Sequence, residues 1–453
     1  MRTATVVTVV LILAAAGYAG WLWWHGPMSS GYGSRLNRSA WKGFEQGNLD
    51  EAEELFGRAL EIARKRGDRY GEGSALHGLG TVAETRGNLR EAEGFLQQGL
   101  AIARELGKRY EEVSSLYGLG RVAHIRGKLE EAEDYYTRGL MISRELYNQY
   151  GEAVLLRGLG GVAETRGKLD KAGQRYQQSL QIARELGDQY GENASLYGLG
   201  CLAEVRGKLG AAEEFYRQSV AIAQQIGDPY GESAALYGLA QVAAERGQLA
   251  EAERLYTQSL EIAQEIGDPY GESAALYGLA QMARIRGKLE KAGRSFTQSL
   301  EIDREVEQRL GEAYSLRELG TVASLRGNLD EAGDLFTQSL DIKRKVGDRL
   351  GEAKALHELG TVAQHRGKLK EAEDLYQQSL DIKRQVGDRP GEARSLHQLG
   401  LVANQQGDLG LGVERIEQAH RMFEEMGLRE AEHAKGDLDG LRKRLEEERG
   451  VAD

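Results

Sequence analysis

An all-α solenoid of about ten antiparallel helix pairs follows from a fixed period, a repeated apolar pattern and the absence of interruptions. Gly47, Gly87, Gly127, Gly167, Gly207, Gly247, Gly287, Gly327, Gly367 and Gly407 stand forty residues apart, each just after a helical pattern. Between them, apolar residues recur at three- and four-residue steps, the spacing of one helix face. No insertion or deletion shifts the grid, and four prolines leave no rigid linker. A length of 453 residues would alone suggest about three domains, but an unbroken grid predicts one elongated domain. Such a period arises where one helix pair cannot bury its apolar side alone and stacks on the next.

The unit is clearest from Asp228. Asp228 is a good N-cap, Pro229 suits a first helical position that needs no N–H, and Glu232 complements the positive end of the helix dipole. Helix A runs to about Arg246, with Leu236, Leu239, Ala240 and Ala243 on one face, and Gly247 ends it. Helix B buries Ala252, Leu255, Tyr256, Ser259, Leu260 and Ala263, and Gly267 stops it before Asp268 opens the next unit. Each helix of roughly 16 to 18 residues is about 25 Å long at 1.5 Å per residue.

This pattern resembles the tetratricopeptide repeat (TPR). The family's signature of small and large residues falls on Leu236, Leu239, Ala240, Ala252, Tyr256 and Ser259, and equally on Leu196, Leu199, Gly200, Ala212, Tyr216 and Ser219. Two positions depart from it: Ala243 stands where an aromatic is usual, and Gln264 where a proline is usual, so helix B continues and lengthens the period. Units of this length look like those of LGN-type spindle adaptors, kinesin light chains and many prokaryotic multi-repeat proteins. The resemblance implies a right-handed superhelix whose helices A line a concave groove. The motif residues are packing residues, so they name no ligand.

The N-terminus breaks the composition. Thr3 to Trp24 is 22 residues without a charge, ending in Trp21, Trp23 and Trp24, where about 20 apolar residues suffice to cross a bilayer core. An uncleaved transmembrane anchor over 1–26 is expected, and a signal peptide cut after Ala14-Ala15-Ala16 is the alternative. The lack of Lys or Arg between His25 and Gly33 places the repeats outside the cytoplasm of a single-pass protein, although Arg35, Arg38 and Lys42 lie close enough to favour the reverse. Residues 27–33 form a linker and 34–427 the solenoid. Its first pair has a shortened helix A from Ser34 to Gln46 and helix B from Asn48 to Arg66; eight full pairs run from Arg69 to Val386, and a tenth starts at Arg389. In residues 428–453, Ala431, Ala434, Leu438, Leu441 and Leu445 step by three and four among charges, the pattern of an amphipathic capping helix.

Composition and motifs argue against chemistry. Asp and Glu number 70 against 59 Lys and Arg, the wrong balance for a nucleic-acid footprint. There is no GxxxxGK[ST], HExxH, GxSxG or pair of CxxC motifs, and the eight histidines do not cluster. Neither catalytic residue, metal, cofactor nor small-molecule substrate is expected. Cys201 is the single cysteine and reads as a small packing residue. The glutamates from Glu72 to Glu392 at one repeat position have a helix-dipole account, as do the arginines from Arg86 to Arg366 at the opposite helix end.

Of 20 tyrosines, 15 occupy three repeat positions. Tyr136, Tyr176, Tyr216, Tyr256 and Tyr376 fall on the buried face of helix B, and Tyr70 to Tyr270 in the first turn of helix A. The third set, Tyr117, Tyr197, Tyr237 and Tyr277, shares its position with His77, Arg157, Arg317, His357 and His397. In TPR proteins the matching position lines the groove. These nine residues are therefore expected to be partly open to solvent and to anchor a peptide. The expected function is a non-enzymatic, membrane-tethered scaffold that binds an extended peptide or helix of a partner protein. The alternative is a homotypic assembly module joined through solenoid edges or the cap.

Overall fold

The computed structural model describes residues 32–45 and 48–451. Among them are 21 helices: α1 (Tyr32–Glu45), α2 (Leu49–Arg66), α3 (Arg69–Thr85), α4 (Leu89–Glu105), α5 (Arg109–Ile125), α6 (Leu129–Glu145), α7 (Gln149–Thr165), α8 (Leu169–Leu186), α9 (Gln189–Val205), α10 (Leu209–Ile226) and α11 (Pro229–Glu245). The remainder are α12 (Leu249–Glu265), α13 (Pro269–Ile285), α14 (Leu289–Glu305), α15 (Arg309–Leu325), α16 (Leu329–Val346), α17 (Arg349–His365), α18 (Leu369–Val386), α19 (Arg389–Gln406), α20 (Leu409–Glu425) and α21 (Glu430–Val451). Odd helices up to α19 are helices A, and the even helices are helices B.

The expected membrane helix is corrected. No helix among the described residues is long and apolar enough to cross a membrane. The segment 1–26, on which single-pass anchoring and extracytoplasmic repeats were based, lies outside the described residues. The architecture of the described residues is an all-helical solenoid.

Local chemistry sets the helix limits. Asp68, Asp188, Asp228, Asp348 and Asp388 each accept a hydrogen bond from the backbone N–H three residues on, filling one donor that the first turn leaves orphaned. At the other end the N–H of Asp68 donates to the carbonyl of Ala63 at 2.9 Å, a closure that requires left-handed Gly67 between them, with φ of 65°. The same turn holds a tyrosine at Tyr147 (φ 54°) and a glutamate at Glu307 (φ 51°).

Helix B aromatics are gripped by glycines. A Cβ on Gly200 would lie 2.6 Å from the Tyr216 ring, and one on Gly238, in the next pair's helix A, 2.5 Å from it. Tyr216 therefore fits only because two successive helices A lack a side chain there. Ion pairs then tie neighbouring pairs together outside the core. Arg126 reaches Glu93 at 2.6 Å, Arg206 reaches Asp170 at 2.6 Å, and Arg366 reaches Asp330 at 2.6 Å. The first-turn glutamates also take a guanidinium from eight residues back, as in Arg104–Glu112 at 2.9 Å and Arg184–Glu192 at 2.8 Å. The dipole account is thus incomplete, because these residues also fix the angle between consecutive helices; each exposed pair contributes about 0–1 kcal/mol.

The chain divides into two compact units, Met1–Ser315 and Leu316–Asp453. In the first, one core runs from Ala83 to Val306 through residues of both helices A and helices B. In the second, Ala434, Leu438 and Leu441 of α21 join Leu399, Ile416 and Phe423 in a core that ends the stack.

Candidate protein-interaction surface

The ladder of nine residues is distributed unequally in exposure. In the first unit Tyr197, Tyr237, Tyr277, Tyr117 and Arg157 are all buried, with Tyr197 at 0% exposure and Tyr277 at 4%. The expectation that the ladder tyrosines are partly open to solvent is corrected by this burial. Each packs on the helix B aromatic of its own pair: Tyr197 on Tyr216 at 5.5 Å between ring centroids, Tyr237 on Tyr256 at 5.3 Å and Tyr277 on Phe296 at 5.3 Å. His77 is half-buried and lies 6.0 Å from Trp41. Burial holds its imidazole down to about 4, so it is neutral at physiological pH.

The physical reason is curvature. The inner faces of non-neighbouring pairs touch, and the hydroxyl of Tyr270 in α13 donates to the carbonyl oxygen of Glu84 in α3 at 3.3 Å. The space that an open groove would leave is filled by side chains. Glu84 also forms a buried ion pair with Arg121 at 2.6 Å, and burial still raises its carboxyl to about 7. Burial likewise raises Glu164 to about 7 and Glu204 to about 8; each accepts a hydrogen bond from a helix B hydroxyl, Tyr176 at 2.8 Å and Tyr216 at 3.1 Å.

In the second unit the ladder stays partly open. Arg317, His357 and His397 are half-buried. Arg317 pairs with Glu318, the His357 ring lies 5.0 Å from that of Tyr376, and His397 Nε2 meets Asp437 of α21 at 2.8 Å. Asp437 occupies the next rung of the same ladder, forty residues on. Cations collect along this face. Lys354 is half-buried and Arg394 exposed, the latter bound to Glu430 at 2.8 Å. Behind them Lys343 and Lys383 are buried, each lowered to about 8 by burial. Lys343 meets Asp348 at 2.9 Å, and Lys383 donates to Ser395 at 2.9 Å.

These two lysines escaped the sequence reading, although a signal was present. They stand where earlier pairs carry Ala63, Ala103, Ala183, Ala223 and Ala263. A lysine at a small-residue position is legible as a change of surface chemistry once it is aligned on the period. Among the described residues no group of three His, Cys, Asp or Glu side chains is placed to hold a metal ion.

Comparison with known proteins bears on the fold. No curated protein matches the chain. A Rap protein solved in complex with Competence and Sporulation Factor is 15% identical, with a TM-score of 0.59 over 79% of this chain and 98% of that one. A STAND signal-transduction ATPase with a tetratricopeptide repeat sensor, from Pyrococcus horikoshii, is 15% identical with a TM-score of 0.49, covering 98% of this chain and 65% of that one. BtubC from P. vanneervenii is 20% identical with a TM-score of 0.43, covering 48% of this chain and 92% of that one. The tetratricopeptide repeat model matches residues 36–105, 111–185, 151–225, 193–265, 231–305, 271–345 and 351–425. With nearly the whole solenoid matched, the chain belongs to the tetratricopeptide repeat family.

Proposed function

We propose that the protein is a non-enzymatic scaffold that holds an extended segment of a partner protein, with the ladder of the second unit as its contact surface. Arg317, His357 and His397 are its half-buried rungs, and Lys354 and Arg394 flank them. The observation that supports the reading is the contrast in exposure: the same repeat position is buried from Tyr117 to Tyr277 in the first unit and half-buried at all three rungs of the second. Arginine and half-buried aromatic rings are the side chains that anchor interfaces. The four-methylene stem of Lys354 adds apolar contact beneath a charged tip. A protein of similar fold, a Rap protein, is known in complex with Competence and Sporulation Factor, which agrees with a binding role. In the first unit, contact through Tyr117, Arg157, Tyr197, Tyr237 and Tyr277 would require that unit to open, whereas His77 is half-buried.

A photo-crosslinking amino acid at position 357 or 397 tests the reading in cells. Covalent adducts to a partner protein are expected from both positions. None is expected from position 378, which is exposed on helix B. Equal adducts from all three positions, or none from 357 and 397, would sink the assignment.

A further inference from the structure

Ten turns that follow a helix B close through a left-handed residue, and eight of them use glycine. Glu307 is one of the two exceptions. A side chain at that φ is strained, so its retention asks for a compensating contact. Its carboxylate supplies one, reaching Arg90 of α4 at 3.0 Å and Arg126, the residue that ends α5, at 4.0 Å. Those arginines belong to the second and third helix pairs, whereas Glu307 ends the seventh.

Two further contacts fall at the same place. Val306 is 4% exposed, whereas its equivalents Leu106, Leu186 and Val386 are 37%, 42% and 43% exposed. It is covered because it packs on Gly87, where any Cβ would collide with it; Gly167, Gly247, Gly287, Gly327 and Gly367 have nothing within 4 Å of theirs. The Tyr270 hydroxyl bonded to the Glu84 carbonyl completes the set. Glu84 is in turn held by Arg121, both side chains being at most 5% exposed.

We infer that Glu307, Val306 and Tyr270 form a latch that fastens the seventh helix pair to the second and third, closes the first unit on itself, and gates access to its inner face. The contact is small beside the continuous stacking of adjacent pairs, so it can part while every helix pair stays folded. When it parts, the buried rungs Tyr197 and Tyr237 become reachable. The latch lies wholly in the first unit and does not depend on the reading of the second.

The chain contains its own reporter. Cys201 is its single cysteine and is buried in the core that the latch closes, with the Tyr216 hydroxyl 3.3 Å from its sulfur. The full chain is treated with excess dithiodipyridine, and the rate of thiol modification is measured for the wild type, Glu307→Gly and Glu307→Gly/Tyr270→Phe. Glycine suits the left-handed turn, so neither variant should lower the melting temperature, yet modification should accelerate about tenfold in the first and further in the second. Unchanged or slower modification in both variants would overturn the latch. So would acceleration matched by a fall in melting temperature, because global unfolding would then be the route to Cys201.

Discussion

Glu204 concentrates the electrostatics of the first unit in one side chain. It is buried, accepts from the Tyr216 hydroxyl, and has its carboxyl raised to about 8 by burial first and the nearby Glu245 second. In the unfolded chain the same carboxyl titrates near 4.5. Between these values the folded protein binds the proton that the unfolded chain has released, so stability is greatest at the acid end and falls as pH rises toward 8. His77 and His124, both held near 4 by burial, act in the opposite sense below their ordinary value of 6.5. The window from about 6.5 to about 8 therefore lies above the histidine range, and Glu204 shares it with Glu84 and Glu164, whose carboxyls burial raises to about 7. Glu204→Gln should make the loss of stability across that window shallower, measured as urea midpoints at both ends, while the share of Glu84 and Glu164 remains. A slope unchanged from the wild type would show that Glu204 is not one of the titrating groups. None of this was legible from the sequence, where Glu204 reads as a polar residue near the end of a helix A. Its burial depends on Tyr216, which the pattern does place on the buried face of helix B, and on the closed curvature around it, which no local pattern encodes.

Helix limits, by contrast, are written locally. Asp228, Pro229 and Gly247 each act through their own backbone neighbourhood, and the sequence reading places that helix within a residue of Pro229–Glu245. The central helix A glycines obey a different logic, because they answer to a ring in helix B. Gly238→Ala would improve intrinsic helix propensity by about 1 kcal/mol. The added methyl would lie 2.5 Å from the Tyr216 ring, which is also hemmed in by Gly200. Overpacking typically costs about 1–3 kcal/mol, so the variant should lose stability on balance. Restoring room with Gly238→Ala/Tyr216→Leu should recover part of the loss. A thermal melt in which Gly238→Ala is as stable as the wild type would mean that the ring relaxes freely and that the glycine pair is not what seats it.

At the scale of the molecule, a one-dimensional stack and a closed turn make different demands. The forty-residue grid and its stacking follow from nearest-neighbour contacts, which is why the period alone identified them. The burial of Tyr197, Tyr237 and Tyr277 follows only in part from such contacts, through the helix B aromatics of their own pairs. It depends on Tyr270 meeting Glu84, 186 residues away, and no repeat pattern reports where a superhelix meets itself. The distinction can be tested by deletion. Asp228 to Gln241 and Asp268 to Gln281 are the same fourteen residues, so excising Asp228 to Gly267 rejoins Gly227 to an identical helix start. Every remaining pair keeps a proper neighbour, and the protein should fold. The turn, however, loses one pair between Glu84 and Tyr270, so the latch residues no longer arrive opposite each other. Excising Asp348 to Gly387 from the second unit shortens the stack by the same length and leaves the turn intact. Both deletions should give soluble, cooperatively melting proteins, but only the first should expose Cys201 to rapid modification. Equal protection of Cys201 in the two would mean that its burial comes from adjacent pairs alone, and the closed turn would then have no part in sealing the inner face.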